Sequence, residues 1–476
     1  MRTLVKNGVI VTALDEYEGD ILIDNGKIIA IGKDFDKSAD EIIDAKGMYV
    51  MPGGVDQHVH FSFEFNGAKV RGFETSNAAA IGGTTTVIEF VNQIKGKGLI
   101  DTIGEYRKEN VDDIAMVDYS FHGIITDPST GVFDEIERLP EAGYPTVKLF
   151  MAYKGMFFHC DDDVIAKAMQ KAKEVGVTIM VHAENADLID VLQKQCIENG
   201  NYQPYYHAVS RPPLVEVEAT ERAINIAKLI GAPLYVVHVT TKGAVDAIKR
   251  AQAEGVPIFG ETCTHYLLLD KSDLAKENFE GAKYVCSPAL REKDDRDYLW
   301  SSIKNGWLNA VSSDHCGFNW AEQKQMGIKD FRNIPNGAPG LENRFGMLWT
   351  YGVEEGRITR SQFVDLVSTT PAKNNGLDYC KGHIGVGYDA DIVIYDPSKI
   401  SIVSNETSLQ GVDYNSFEGM KQIGNVEKVL LRGQLIVDNG KYIGHNGQGQ
   451  FVPGKAYGLC YEGISRNSKE LAFSNN

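Results

Sequence analysis

No C-x-x-C pair occurs in this sequence of 476 residues; its seven cysteines, at positions 160, 196, 263, 286, 316, 380 and 460, stand singly. An odd, scattered set fits reduced thiols in a cytosolic protein better than a disulfide framework. No run approaches the roughly 18 consecutive apolar residues of a membrane span. The opening MRTLVKNGVIVTALDEYEGD also lacks the apolar block of a signal peptide. These absences predict a cytoplasmic protein with no membrane partner. Positive charge is scarce too: 48 Lys and Arg against 65 Asp and Glu leave a net −17, with a pI near 5.2. Such an excess of carboxylates repels polyanions, so no nucleic-acid partner is expected, while a small neutral substrate is steered neither way. What is present is ordinary for a globular protein with a sizeable core, 43% hydrophobic and 24% charged residues. The length suits one barrel plus a second module.

Short strands with turn signals fill both chain ends. TLVKNGVIVT and GDILIDNGKIIAIG, with Asn25-Gly26 as a hairpin cue, are answered by HIGVGYDADIVIYDP and VEKVLLRGQLIVDNGKYIG, with Asn439-Gly440. Neither piece has enough strands for a core alone, so residues 1–51 and 376–450 are expected to build one small β-sandwich domain together. Residues 52–375 would be inserted between its halves. That segment repeats an apolar strand, a loop and an amphipathic helix, with strands at 53–61, 84–91, 118–125, 146–153, 178–185, 234–241, 257–264 and 309–316. Helical texts between them close on Gly176, Gly231 and Gly255, as helix C-caps do. Alternation alone also allows an open doubly wound sheet; the count of eight predicts an α/β fold of the (β/α)8 TIM-barrel type, with its site at the C-terminal strand ends.

Polar residues inside those strands need a reason. His58 and His60 stand two apart in DQHVH, so the strand period puts both on one face. Lys148 lies in VKLF, His182 in MVHAE, His238 in VVHV, and Asp314 ends the eighth strand in VSSDH. Singly, each has an ordinary reading as a core histidine, a salt-bridged lysine or a turn aspartate. Together they fall at one end of one barrel, and imidazoles with a carboxylate suit zinc or another divalent first-row metal. An ammonium cannot ligate. Beside divalent cations, however, the Lys148 amine loses its proton, and a neutral amine can add carbon dioxide to become an anionic carbamate. On composition alone the salt-bridged reading of Lys148 is the stronger. Gly82-Gly83 is no phosphate loop, since no G-K-[ST] follows.

The run GGVDQHVH, the lysine of VKLFMAY, the single histidines of strands five and six, SSDHC and NIPNGAPGLENR together resemble the cyclic amidohydrolases of the dihydropyrimidinase/hydantoinase family. DYSFHGII, YHAVSRP and SPALR add to the likeness, which covers nearly the whole chain and is strongest with the phenylhydantoinase branch. The resemblance implies that His58, His60 and Asp314 bind one metal, that His182 and His238 bind the other, and that carbamylated Lys148 bridges them. The ions would most simply be Zn2+. It implies a hydroxide between two metals roughly 3.5–4 Å apart as nucleophile. Asp314 would act as base and then acid on a cyclic amide or imide. Tyr153 would donate to the oxyanion, and Ser287 and Asn336 would hold the substrate's amide edge. The product would be an N-carbamoyl amino acid.

Phe63, Phe65, Met156, Phe157 and Phe158 are expected to wall an apolar pocket that favours a 5-substituted hydantoin over dihydrouracil. Glu64, Lys69 and Arg71 in the same loop are as readily solvated. His122, Glu261 and His265 are candidates to orient ligands; His159, His207, His315 and His383 are not expected to ligate. Dihydroorotases resemble H-x-H-x-R, and here Ser62 replaces the arginine. Allantoin hydrolysis shares the metal set and stays an alternative, as does a metal-free structural relative. In relatives, tails like 451–476 reach a neighbouring subunit, so a homotetramer or homodimer is expected.

Overall fold

The computed structural model describes residues 2–462. Eight parallel strands run Gly54–Val59 (β1), Thr84–Asn92 (β2), Asp118–Ile124 (β3), Thr146–Phe150 (β4), Thr178–His182 (β5), Leu234–Val236 (β6), Ile258–Cys263 (β7) and Ala310–Ser312 (β8). They pair in chain order. The seam between β8 and β1 is closed by the His60 N–H donating to His315 O at 2.7 Å and the Ser313 N–H donating to Asp56 Oδ1 at 3.1 Å. Arg344, wholly buried, fastens the same seam from below: its guanidinium donates to Val55 O, Val311 O and Thr84 Oγ1 at 3.0–3.1 Å. The cation is tolerated there because these acceptors and the buried Asp56 carboxylate, 3.4 Å from its Nε, compensate its desolvation.

Helices Asp162–Val175 (α1), Pro213–Ile230 (α2) and Lys242–Ala253 (α3) pack outside the barrel, and Gly176 and Gly231 cap α1 and α2 with left-handed φ of 76° and 67°. Their apolar faces, Ile165, Ala168 and Met169 on α1 for example, join the strands' outward residues in one core.

Both chain ends share one seven-stranded sheet. Tyr49–Pro52 pairs antiparallel with Ile392–Tyr395, so the strand leading into the barrel hydrogen-bonds to the one that follows it. A four-stranded sheet from residues 3–44 faces it, and Val5, Ile10, Ile21, Ile23, Ile392 and Leu430 fill the space between. This is the expected sandwich.

Two features differ from the sequence reading. The expected strands 146–153, 178–185, 234–241 and 309–316 are cut short at their C-terminal ends, so His238 and Asp314 lie two residues beyond β6 and β8 rather than inside them. The cause is local: His238 and Asp314 have φ of 40° and 46°, values that leave the strand conformation. Residues 62–71 contain a small hairpin, Glu64–Phe65 against Ala68–Lys69, turned by Asn66-Gly67. The described part of the tail docks on its own barrel: Tyr119 and Gln450 and Val452 exchange backbone hydrogen bonds, and Cys460 is buried against Met180, Tyr235 and Val237. Residues 463–476, where the rest of the expected subunit contact falls, lie outside the described residues.

Candidate active site

The C-terminal ends of β1, β4, β5, β6 and β8 bring His58, His60, Lys148, His182, His238 and Asp314 together. His58 Nε2 lies 3.0 Å from Lys148 Nζ and 3.3 Å from Asp314 Oδ1, and His60 Nε2 is also 3.3 Å from Asp314 Oδ1. Ligand atoms of His58, His60 and Asp314 all fall within 4.8 Å of one another. The ring of His238 is 5.3 Å from that of His58 and 4.5 Å from that of His182. One cavity is lined by every one of these groups except His58, and also by Tyr153, Ser287 and Asn336. His58 sits behind it, fully buried.

Neighbours fix the rings. His58 Nδ1 meets Glu261 Oε1 at 2.5 Å, which turns Nε2 toward the cluster; Glu261 is itself held by Gln57 at 2.7 Å and by Ser312. His182 Nε2 meets Glu184 Oε2 at 2.8 Å, leaving Nδ1 for the cavity side, and Arg211 donates to the same carboxylate oxygen at 2.7 Å. A second ligand nitrogen is fixed by the bond its ring partner makes. Burial drives His58, His60, His182 and His238 below the ordinary histidine range, so all four rings are neutral, the form that ligates. Burial works against the Asp314 carboxylate, yet the His60 hydrogen bond holds it below its usual value.

Burial likewise brings Lys148 down to about 8, against the pull of Asp314 and Glu261. Its Nζ has the Phe90 and Phe150 rings at 4.2 and 4.8 Å, so its surroundings are apolar on two sides.

These donors fit a pair of divalent cations. His60 Nδ1 and His238 Nδ1 are buried with no hydrogen-bond partner. Four neutral imidazoles and one carboxylate, gathered with no net positive charge, make a poor hydrophobic core and suit divalent metal ions.

On the cavity rim, Asn336 Nδ2 donates to Ser287 Oγ at 3.0 Å and to Tyr153 OH at 3.3 Å, so the three residues expected to meet substrate form one hydrogen-bonded chain. Tyr153 has φ of 63°, which bends the segment after β4 and sends Phe158 into the cavity. Phe63, Phe65 and Phe158 line it. Met156 does not, and Phe157 is 57% exposed; consecutive residues of this tight turn point opposite ways. Glu64, Lys69 and Arg71 are exposed. His122 Nε2 bonds Gln57 O at 2.9 Å, beneath His58, and His265 is buried near Asp314. His207 and His159 are engaged with backbone carbonyls of Cys286 and Ala152 at 2.8 and 2.9 Å. His315 Nδ1 accepts from the Gly340 N–H at 3.3 Å, and the His383 ring lies 5.1 Å from that of Tyr388. Asn92, Ile124 and Cys316 also line the cavity and were missed; Asn92 ends β2, a position that marks it on barrel logic alone.

An amidohydrolase family model matches residues 49–436. A D-hydantoinase of Geobacillus stearothermophilus is 47% identical over 461 residues, 96% of this chain and 98% of that protein. A D-phenylhydantoinase of Escherichia coli O81 (strain ED1a) is 37% identical over 465 residues, 96% and 99% of the two chains. The solved dihydropyrimidinase from Brevibacillus agri NCHU1002 superposes with a TM-score of 0.94 at 45% identity, covering 96% of this chain and 99% of its own. With this match across both the barrel and the split sandwich, the chain belongs to the amidohydrolase family.

Proposed function

We propose that the protein hydrolyses the ring of a 5-substituted hydantoin or a dihydropyrimidine to the N-carbamoyl amino acid. The observation that carries this is one cavity lined by three neutral imidazoles, with that of His58 buried behind them, a carboxylate and a desolvated lysine, beside a Tyr153–Asn336–Ser287 hydrogen-bonded rim. His58, His60 and Asp314 would hold one divalent ion and His182 and His238 a second, with Lys148, as its carbamate, supplying a further anionic ligand to the pair. Zinc suits this set. When bound, the ions lower the pKa of water toward neutral and polarise a carbonyl.

The chain's own residues do the rest. Asp314 accepts the proton of the attacking water as the new C–O bond forms, then delivers it to the ring nitrogen as the C–N bond breaks. Tyr153 OH donates to the oxygen that becomes negative. Ser287 and Asn336 fix the amide edge, so that the carbonyl meets the attacking oxygen in one orientation. Phe63, Phe65 and Phe158 exclude water and receive the ring substituent.

The chain divides at 51/52, 375/376 and 450/451 into half-sandwich, barrel, half-sandwich and tail, a division consistent with the pairing of Tyr49–Pro52 and Ile392–Tyr395. No helix among the described residues is long and apolar enough to cross a membrane. Seven buried free cysteines support a cytoplasmic setting. We place the protein there as a homotetramer; Ile400 and Ile402, 65% and 61% exposed on one strand, are apolar surface a second copy would cover. Allantoin hydrolysis and a metal-free structural role are not favoured.

Phenylhydantoin, dihydrouracil, allantoin and dihydroorotate, assayed with metal added and removed, test the reading. Turnover of phenylhydantoin above dihydrouracil, lost to a chelator and restored by zinc, is expected. Turnover that survives metal removal, or preference for allantoin or dihydroorotate, contradicts it.

A further inference from the structure

Lys324 is fully buried and uses no carboxylate. It opens a short helical turn, Lys324–Gly327, outside the cavity. Its Nζ donates to three backbone carbonyls, Val285 O at 2.9 Å, Pro335 O at 2.7 Å and Gly337 O at 2.6 Å. All three N–H groups of an ammonium are spent; a neutral amine has only two. Val285 lies two residues before Ser287, and Pro335 and Gly337 flank Asn336. The same Val285 O also accepts the Gly337 N–H at 3.0 Å. The lysine thus sits at the hub of the two segments whose side chains meet at the cavity rim.

A methionine would fill that space without desolvating a charge, so packing alone does not explain the residue. The titratable groups facing it are the thiols of Cys286 and Cys316, both protonated because burial raises them, and His207, which burial holds neutral. Burial draws Lys324 down to about 7, while three carbonyl dipoles aimed at Nζ favour the cation. Gly337 adds a geometric demand. Its φ is 141°, and a Cβ there would lie 2.6 Å from both Cys316 O and Cys316 Cβ. The Asn336 segment is therefore pressed flat on the chain two residues past Asp314 and has one place to go.

We propose that Lys324 is a positioning residue for substrate, its ammonium clamping Val285 to Pro335–Gly337 so that Ser287 and Asn336 present a fixed edge to the substrate amide. This rests on the proposed role of that edge. Lys324 touches neither substrate nor metal, so its loss should weaken substrate holding and leave the metal cluster intact.

The test compares Lys324→Met, which keeps length and removes every donor, with Lys324→Gln, which keeps two. Lys381→Met is the control, another buried lysine, paired with Asp118, Asp389 and Asp391 away from the cavity. For whichever cyclic amide the wild type turns over, KM should rise about tenfold or more in Lys324→Met with a smaller change in kcat. Lys324→Gln should fall between, with wild-type metal content in both. Hydrogen exchange should speed up at the Gly337 amide and neighbouring residues 285–287 while barrel strands stay protected. Lys381→Met should lower Tm and leave KM alone. Unchanged KM in folded Lys324→Met, or a loss of kcat that tracks lost metal, overturns the proposal. If the wild type opens no ring in the panel, the functional reading fails; the clamp fails separately if exchange in Lys324→Gln matches wild type at 285–287 and at 336–337.

Discussion

Three residues at the cavity, Tyr153, His238 and Asp314, hold left-handed φ of 63°, 40° and 46°. Each such placement costs about 1–2 kcal/mol for a residue with a Cβ. The cost falls where each strand must end and its side chain must turn inward. This strain was invisible in the sequence, because residue identity declares chemistry and not φ. The chemistry itself was legible: imidazoles, lysine and aspartate in apolar strand text are anomalous wherever they occur, and eight strands gave them a common end. Glu261 was legible only as a neighbour, since its contact with His58 spans 203 residues. Glu261→Gln keeps its shape and weakens its hold on His58 Nδ1. It should lower metal affinity about 10–100-fold, read by competition with a chelator; unchanged affinity would remove Glu261 from the account. Tyr153→Phe should cut kcat by about 100-fold with metal content unchanged, measured by steady-state kinetics beside metal analysis.

Among the elements, the strands were found within a few residues and their ends were not. Strand text continues past β6 as VVHVTT, but the backbone leaves the ladder at Val236. The hairpin at 64–69 was missed although Asn66-Gly67 signals it as plainly as Asn25-Gly26 does. Flanking strands of two residues each give no readable alternation, which is why the cue went unused. That hairpin carries Phe65 to the cavity wall. Phe65→Ala should therefore reduce kcat/KM for an aryl-substituted hydantoin about tenfold and leave dihydrouracil nearly unchanged, since only the former fills that wall. Paired assays of the two substrates decide it; an equal loss on both would assign Phe65 to packing alone.

Over the whole molecule, the split sandwich was legible because hairpin cues sit at both ends of the sequence and neither end suffices alone. Docking of the tail was not: the backbone bonds of Tyr119 with Gln450 and Val452 leave no pattern in side chains, and Phe451 and Cys460, which pack on the barrel beside them, carry no sign of which residues they meet. Buried neutral histidines give the fold a pH dependence. His207 is held down to about 3 by burial, with Arg211 adding to the effect. The unfolded chain then binds a proton near pH 6.5 that the folded chain refuses, so this contribution is full above about pH 6.5 and lost as pH falls toward 3. Between pH 6.5 and 5 it amounts to about 2 kcal/mol. His207→Gln, which retains an N–H for Cys286 O, should lose that much less stability than wild type over the same interval in urea unfolding; parallel losses would contradict it.

Central to the proposed function is a pair of cations that four imidazoles, Asp314 and a carbamylated Lys148 would gather. An anomalous diffraction map of zinc-loaded protein, grown with bicarbonate, tests it most directly. The account predicts two zinc peaks per chain, with a carboxyl group on Lys148 Nζ between them. A bare amine at Lys148 with a single peak, or none, would contradict it.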